Sequence, residues 1–600
     1  MAFFEIKNLK VNHNAFDGKK RVLDIDNISI EKGTTYGIVG ESGQGKTVLA
    51  LTILKLLQCP PGEIESGEIV LDGVNLLEKG FNYLQKEVRG KKIAMIFQDP
   101  MSTLNPVFTV EEQMVEVIRK NRKISKKEAI KEAVKTLETV KLADPGNVLT
   151  KYPHELSGGQ RQRIIIALAL SCGAELMIAD EPTRNLDATI QASMLKLLKE
   201  LQKEYKMTVL FIANNLSLVS AFCDRVGILY GGKIIEQGVT EELVKNPQQE
   251  YTKLLIEAAN IKKEAKKDNI NDDIILKVQN LKKYFKINDP LKKQKGLTLK
   301  AVDGVSFDIK KGEVLGIVGE SGCGKSTLVN TILKLFEPTE GSVYFEGKNI
   351  YAQSKENVRK IRKDIQIVFQ DPYWSLNPRL LVKDIISEPI DVHEKINNNE
   401  KLERVNELLK MVGLEKDAAF KYPHEFSGGE RQRIAIARSL ASQPKIIVLD
   451  EPTSSIDVFS QAQILELLQH LKTKFDLTNI LISHDLGVVN QMASRIAVMY
   501  LGKVVEFGPA NEVFKSPKHP YTKALFNSIP DIKKIGIEHL TTLEGNIPSP
   551  INPPSGCRFH TRCTSCIEDC KNIEPNVTYL SDDHYVSCLL YSNLGIEHNL

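Results

Sequence analysis

Two Asp-Glu pairs, Asp180-Glu181 and Asp450-Glu451, each close a short apolar run, "LMIAD" and "IIVLD". A carboxylate at a strand end can hold the shell of a Mg²⁺ ion, which prefers oxygen ligands and keeps several waters. The glutamate beside it can polarise a water for attack. Upstream of each pair lies a glycine-rich loop, Gly40 to Thr47 and Gly319 to Ser326, that fits G-x-x-x-x-G-K-[ST]. Gly40, Gly43 and Gly45, and in the second loop Gly319, Gly322 and Gly324, let backbone N–H groups face a phosphate. The following helix adds its positive end. Lys46 and Lys325 would reach the β and γ phosphates, while Thr47, Ser326 and the adjoining Thr327 would stand at the metal and phosphates. The chemistry expected is hydrolysis of a nucleoside triphosphate.

The motifs come in pairs because one unit is written twice. "YPHELSGGQRQRI" begins at Tyr152 and "YPHEFSGGERQRI" at Tyr422, 270 positions later. The two loop lysines stand 279 apart, so the length differences fall upstream, between motifs. Two copies of so large a unit predict two similar domains rather than a solenoid. Strand, loop and helix alternate, which predicts an α/β core with a mainly parallel sheet. Ser125 with Glu128 forms a capping-box pattern, and Ile130, Val134, Leu137 and Val140 then recur on one helix face. The expected division is a first domain over 1–259, a polar linker over 260–273, a second domain over 274–530 and a separate tail over 531–600.

Composition narrows the setting. The 80 basic and 76 acidic residues nearly cancel, which gives no argument for nucleic acid binding. No apolar run has the length a membrane span needs, and the start of the chain lacks the pattern of a signal peptide. Five of the nine cysteines fall near the C-terminal end, which suggests metal ligation rather than disulfides. Cys323, inside the second phosphate loop, reads as a small filler rather than a catalytic thiol.

"LSGGQ" at 156–160 and "FSGGE" at 426–430, taken with the two phosphate loops, resemble the signature of ABC-transporter ATPases. The resemblance covers nearly the whole chain. It implies two tandem P-loop domains, each with a mainly parallel core sheet, an antiparallel subdomain and a helical subdomain, followed by a cysteine-containing tail. It also implies head-to-tail pairing, in which each ATP lies between one domain's loop and the other's signature: Ser157, Gly158, Gly159 and Gln160, or Ser427, Gly428, Gly429 and Glu430. Gln98 and Gln370 match the loop that senses Mg²⁺ and the transmembrane partner. Asp187 and Asp457 match the loop that crosses between sites, and His484 matches the switch histidine. Phe285 sits where the family stacks a ring on adenine; in the first copy His13 occupies that place, with Phe16 nearby.

The branch is narrower still. "FQDPMSTLNP", "FQDPYWSLNP", "KHPYTKAL" and "GNIPSPINPPSGCRFHTRC" are similar to the importers of dipeptides, oligopeptides, nickel and glutathione. The resemblance implies two permease subunits, an extracytoplasmic substrate-binding protein and a place on the cytoplasmic face of the membrane. Peptide is the expected cargo, with nickel or glutathione as alternatives. A ribosome-binding ABC translation factor and a non-transport ATP-binding scaffold are the other classes. Cys557, Cys563, Cys570 and Cys588 are similar in spacing to the cluster-binding tail of the branch, so a [4Fe–4S] cluster is expected, with structural zinc and unligated packing as alternatives and Cys566 as a substitute ligand.

The two copies are not equal. Asn214 stands where the second copy has His484, and Glu430 stands where the signature usually has glutamine. "EPTRNLD" is also unusual at Arg184 and Asn185. Both the Asn214 and Glu430 departures would fall on one composite site. The expectation is that site one holds ATP while site two hydrolyses it.

Overall fold

The runs "TYGIV", "LMIAD", "VLGIV" and "IIVLD" are buried, save for the half-buried Asp450 that ends the last of them. A strand apolar on both faces belongs in the middle of a covered parallel sheet. That is where the computed structural model puts them. It describes residues 2–15, 18–184, 186–259, 272–289, 294–454, 456, 458–543, 545 and 547–592. The linker's residues 260–271, Phe16, Asn185 and Asp457 lie outside the described residues.

In the first unit a six-stranded sheet runs Lys233–Val239, Arg225–Tyr230, Thr35–Val39, Thr208–Ala213, Leu176–Asp180, Ile93–Ile96. All neighbours are parallel except the edge strand Lys233–Val239. A four-stranded antiparallel sheet (Gly18–Ile30, Phe4–Ala15, Gly62–Leu71, Val74–Asn75) covers the phosphate-loop side, and the two share one core around Ile6, Ile25, Ile38 and Leu49. The helices Val110–Arg122, Lys126–Thr139 and Gly158–Ser171 form the helical part. Ser125 and Glu128 make the expected capping box. Leu137 and Val140 of the expected stripe are buried, but its first two places are taken by Ala129 and Ala133, and Ile130 and Val134 are only half-buried. Small alanines let the helix approach closely, so the larger residues flank the contact.

The second unit repeats this plan. Its central strands run Ile365–Val368, Ile446–Asp450, Thr478–Ile482, Val314–Val318, Arg495–Tyr500, Lys503–Pro509. The sheet then continues through His584–Val586 and Thr578–Ser581, so it has eight strands. The cysteine tail is therefore built into the second unit, with Tyr585 stacked on Phe507 at 5.2 Å. The preceding piece, Pro530–Thr541, groups with the first unit. Among the described residues no helix is long and apolar enough to cross a membrane.

Candidate functional site

Each phosphate loop joins a buried strand to an eight-residue helix, Lys46–Ile53 or Lys325–Ile332. The residue before each helix, Gly45 or Gly324, has φ of 99° or 108°, and no side chain caps the helix start. A Cβ on Gly324 would lie 2.1 Å from the Ala301 carbonyl oxygen, so only glycine fits this turn. The helix N–H groups are thus left to face an anion. Lys46 Nζ donates to the Gly40 and Glu41 carbonyls at 2.7 and 2.8 Å, and Lys325 Nζ to those of Gly319 and Glu320 at 2.8 and 3.1 Å. Burial draws the Lys46 ammonium below its ordinary pKa. Cys323 is buried beside Lys325 and burial raises its thiol, in keeping with a filler.

The expected Mg²⁺ carboxylates come to these loops. Thr47 Oγ1 donates to Asp180 Oδ2 at 2.9 Å, and Ser326 bonds Asp450 in the same way. Asp180 is 1% exposed, and desolvation pushes both aspartates up to about 6. Oδ1 of each is buried without a hydrogen-bond partner. An unpartnered carboxylate oxygen beside a hydroxyl is the donor set a hard cation requires, so Mg²⁺ fits both sites.

The glutamates that follow differ between copies. Glu181 and Glu451 share a left-handed backbone, with φ of 45° and 48°, a strain that is held at functional turns. Gln98 Nε2 donates to Glu181 Oε2 at 2.7 Å, and Gln370 Nε2 to Glu451 Oε2 at 2.7 Å. In the second unit His484 Nδ1 lies 3.2 Å from that same Oε2. Burial alone would raise Glu451 and lower His484, but their mutual hydrogen bond and attraction reverse both, holding the carboxyl down and the imidazole up. In the first unit Arg184 is the second partner on Oε2, at 2.7 Å, and Lys46 Nζ lies 3.7 Å from Oε1.

Each signature serine caps its own helix. Gln160 Oε1 accepts from Ser157 N at 3.0 Å, and Glu430 Oε2 accepts from Ser427 N and Oγ at 2.9 and 2.7 Å. Gly158, Gly159, Gly428 and Gly429 follow as the first helical turns. The bonds from Ser427 hold Glu430 below the ordinary carboxylate range. Phe285 is half-buried, edge-on to Phe336 at 5.5 Å with Lys283 over its ring at 4.9 Å; His13 is exposed.

One contact went unread in the sequence. Glu320, inside the second phosphate loop, is 1% exposed and takes two bonds from Arg562 of the tail, at 2.7 and 3.0 Å. Its backbone N–H donates to Tyr521 Oη at 2.9 Å. Nothing local marks Arg562, which lies 242 residues from its partner.

The sequence profile described as "ABC transporter" matches residues 23–184 and 302–454, more than half of the chain. The chain is a member of the ABC transporter ATPase family. The profile "Oligopeptide/dipeptide transporter, C-terminal region" matches each cassette downstream, over 235–283 and 505–570. The chain is thus an ABC importer ATPase of the oligopeptide/dipeptide family, and it hydrolyses ATP to power transport. It is 42% identical over 544 residues to the glutathione import ATP-binding protein GsiA of Shigella dysenteriae, covering 85% of this chain and 87% of that one. The GsiA protein of Pectobacterium atrosepticum is 40% identical, with 91% and 93% covered. A solved structure, cbiO1 from Clostridium perfringens, part of the ABC transporter complex cbiONQ, aligns at 33% identity over 41% of this chain and 92% of its own, with a TM-score of 0.36.

The tail departs from its expectation. Cys557, Cys563, Cys570 and Cys588 are neighbours, and burial first, then the nearby thiols, pushes Cys557 up to about 11. All are free cysteines. Yet among the described residues no group of three or more His, Cys, Asp or Glu side chains is arranged to hold a metal ion. The [4Fe–4S] expectation therefore finds no support: backbone packing, such as Cys557 N to Cys570 O at 2.9 Å, gathers the thiols without forming a ligand set.

Proposed function

We propose that this chain powers uptake of short peptides, and that glutathione, a tripeptide, is the cargo. The observation that carries the cargo is the name shared by relatives matched over most of the chain. It favours the glutathione alternative over the general peptide expectation, and nickel over neither. The cassettes would dock on two permease subunits at the cytoplasmic face of the membrane, served by an extracytoplasmic binding protein. Each exposes apolar side chains after its glutamine, Met101, Val107 and Phe108 in the first, Tyr373 and Trp374 in the second, a surface suited to a partner.

The catalytic assignment is to the second cassette. Lys325 and the helix N-terminus hold the phosphates. Ser326 and Asp450 would hold Mg²⁺, which would supply positive charge to offset that of the bound phosphates. Glu451 takes up the developing proton of the attacking water, and His484 and Gln370 hold its carboxylate in place. Paired head to tail, this site would be closed by Ser157 to Gln160, and the first by Ser427 to Glu430. Phe285 is the proposed adenine platform. The test is uptake of labelled glutathione and of a labelled dipeptide by vesicles carrying this chain, its permeases and its binding protein. Glutathione uptake that needs ATP inside supports the cargo; dipeptide uptake without glutathione uptake overturns it.

A further inference from the structure

The second phosphate loop carries an enclosed carboxylate in the segment that must receive a triphosphate. Glu320 follows Gly319 at the head of the loop and is buried. Arg562 forks its carboxylate, with Nη1 donating to Oε2 at 2.7 Å and Nη2 to Oε1 at 3.0 Å. The Glu320 carbonyl accepts from Lys325 Nζ at 3.1 Å, the ammonium that the phosphates would claim. Its N–H donates to Tyr521 Oη. Tyr500, Tyr521 and Phe559 pack against one another beside the pair, with ring centroids 4.7, 5.2 and 5.4 Å apart, and Tyr500 Oη lies 3.4 Å from Arg562 Nη1. In the first cassette the matching Glu41 is only half-buried, so water reaches its charge and screens it.

We propose that Arg562 is a positioning residue, supplied by the tail, that offsets the Glu320 charge and so keeps the field of the second phosphate loop positive toward ATP. ATP brings several negative charges. An enclosed carboxylate near them repels strongly, because the protein interior screens poorly. The guanidinium stays charged, and its planar fork fits both carboxylate oxygens, so the pair enters the loop as a neutral unit. Lys325 and the helix N-terminus then act on the phosphates without opposition. The tail thereby gains a part in nucleotide affinity, beyond its place in the second sheet. The first cassette has less need of such a cation, since solvent already screens Glu41.

The experiment uses the full chain with Lys46→Ala, which takes the first phosphate loop out of nucleotide binding, and titrates it with fluorescent ATP and ADP analogues. Arg562→Gln should weaken ATP about 10- to 100-fold and ADP less, because the γ phosphate adds charge for Glu320 to repel. Glu320→Gln/Arg562→Gln removes both charges and should bind ATP within about threefold of the parent chain. Should Arg562→Gln not fold, the double variant carries the test, since it leaves no charge of the pair buried alone. ATP affinity unchanged by Arg562→Gln overturns the proposal. So does equal weakening of ATP and ADP, which would mean that Arg562 only shapes the loop. A double variant that binds ATP more weakly than that threefold margin also overturns it, because the guanidinium would then serve ATP by a route other than offsetting Glu320.

Discussion

The two cassettes agree in backbone and disagree in side chains. The glycines before the helices, the strained glutamates and the lysine curled onto its own loop differ by a few degrees or tenths of an ångström. The groups around the glutamate carboxylate do not match: histidine in the second cassette, arginine in the first. A phosphate-binding frame tolerates no change, since glycine φ values and buried strands fix it. A carboxylate's partner can change without disturbing that frame, so catalysis can be lost while binding survives. Aspartates raised to about 6 in both cassettes agree with this, because binding chemistry is held in common.

The largest break in the comparison should come from Glu451→Gln. Loss of a general base costs ~10²–10⁴-fold, roughly 3–5 kcal/mol of barrier. Nearly all steady-state hydrolysis should vanish while ATP binding persists, and His484→Ala should follow it. Glu181→Gln should leave most turnover. Equal losses in the two glutamine variants would mean that the sites share catalysis.

A second difference lies outside the chemistry. Glu320 is enclosed and bonded twice by Arg562, while its counterpart Glu41 is only half-buried. Removing one partner of a buried pair leaves an uncompensated charge and costs about 3–5 kcal/mol. Arg562→Ala should therefore lower the calorimetric unfolding temperature of the second cassette, whereas Glu41→Ala, which removes a half-buried carboxylate that bonds Tyr251, should lower that of the first by less. An unshifted second transition would show that the tail contact does not support the phosphate loop.

What could be read from the sequence follows the range of the forces involved. Phosphate loops, strand-end acids and the capping box are local patterns, and each stands where expected. The α/β plan was legible because buried strands advertise themselves as unbroken apolar runs. The tail's strands were not legible: Thr578–Ser581 and His584–Val586 are short, and pairing with Lys503–Pro509 makes them strands. Arg184 was visible as a departure, but its contact with Glu181 needed the turn that carries its guanidinium back to that carboxylate. Arg562 gave no signal, because a contact made across 242 residues leaves no local pattern.

The aspartates give a case in which the cassettes should stay alike. Burial raises both carboxyls, so the ionised form that binds Mg²⁺ is lost as pH falls through about 6. The same shift makes the nucleotide-free fold gain stability as pH drops from about 6 toward the unfolded value near 4, since the buried charge is removed. MgATP affinity should weaken up to about tenfold per pH unit below 6 in both cassettes. Titration of the Glu451→Gln protein with a fluorescent ATP analogue between about pH 7 and 5 measures this. Weakening in one cassette alone would show that the other cassette's aspartate does not hold the metal.

The smallest effect sharpens the contrast at the docking loops. Trp374, the only tryptophan, is 82% exposed and edge-on to Tyr373 at 5.4 Å, whereas Ser102 stands at the matching place in the first cassette. An exposed indole is costly in water and gains apolar contact when covered. Covering it should contribute about 1.5–3 kcal/mol, so Trp374→Ser should weaken assembly with the permeases about 10- to 100-fold. Its emission should shift to the blue when the permease pair is added, and the variant should lose that signal while retaining ATP binding. The reverse change, Ser102→Trp, places an indole on the other loop and asks whether that loop is covered to the same degree. A blue shift there of equal size would mean that the permeases cover the loops alike, and that the tryptophan marks no preference for the second cassette. Emission unmoved at both positions would take these loops out of the interface.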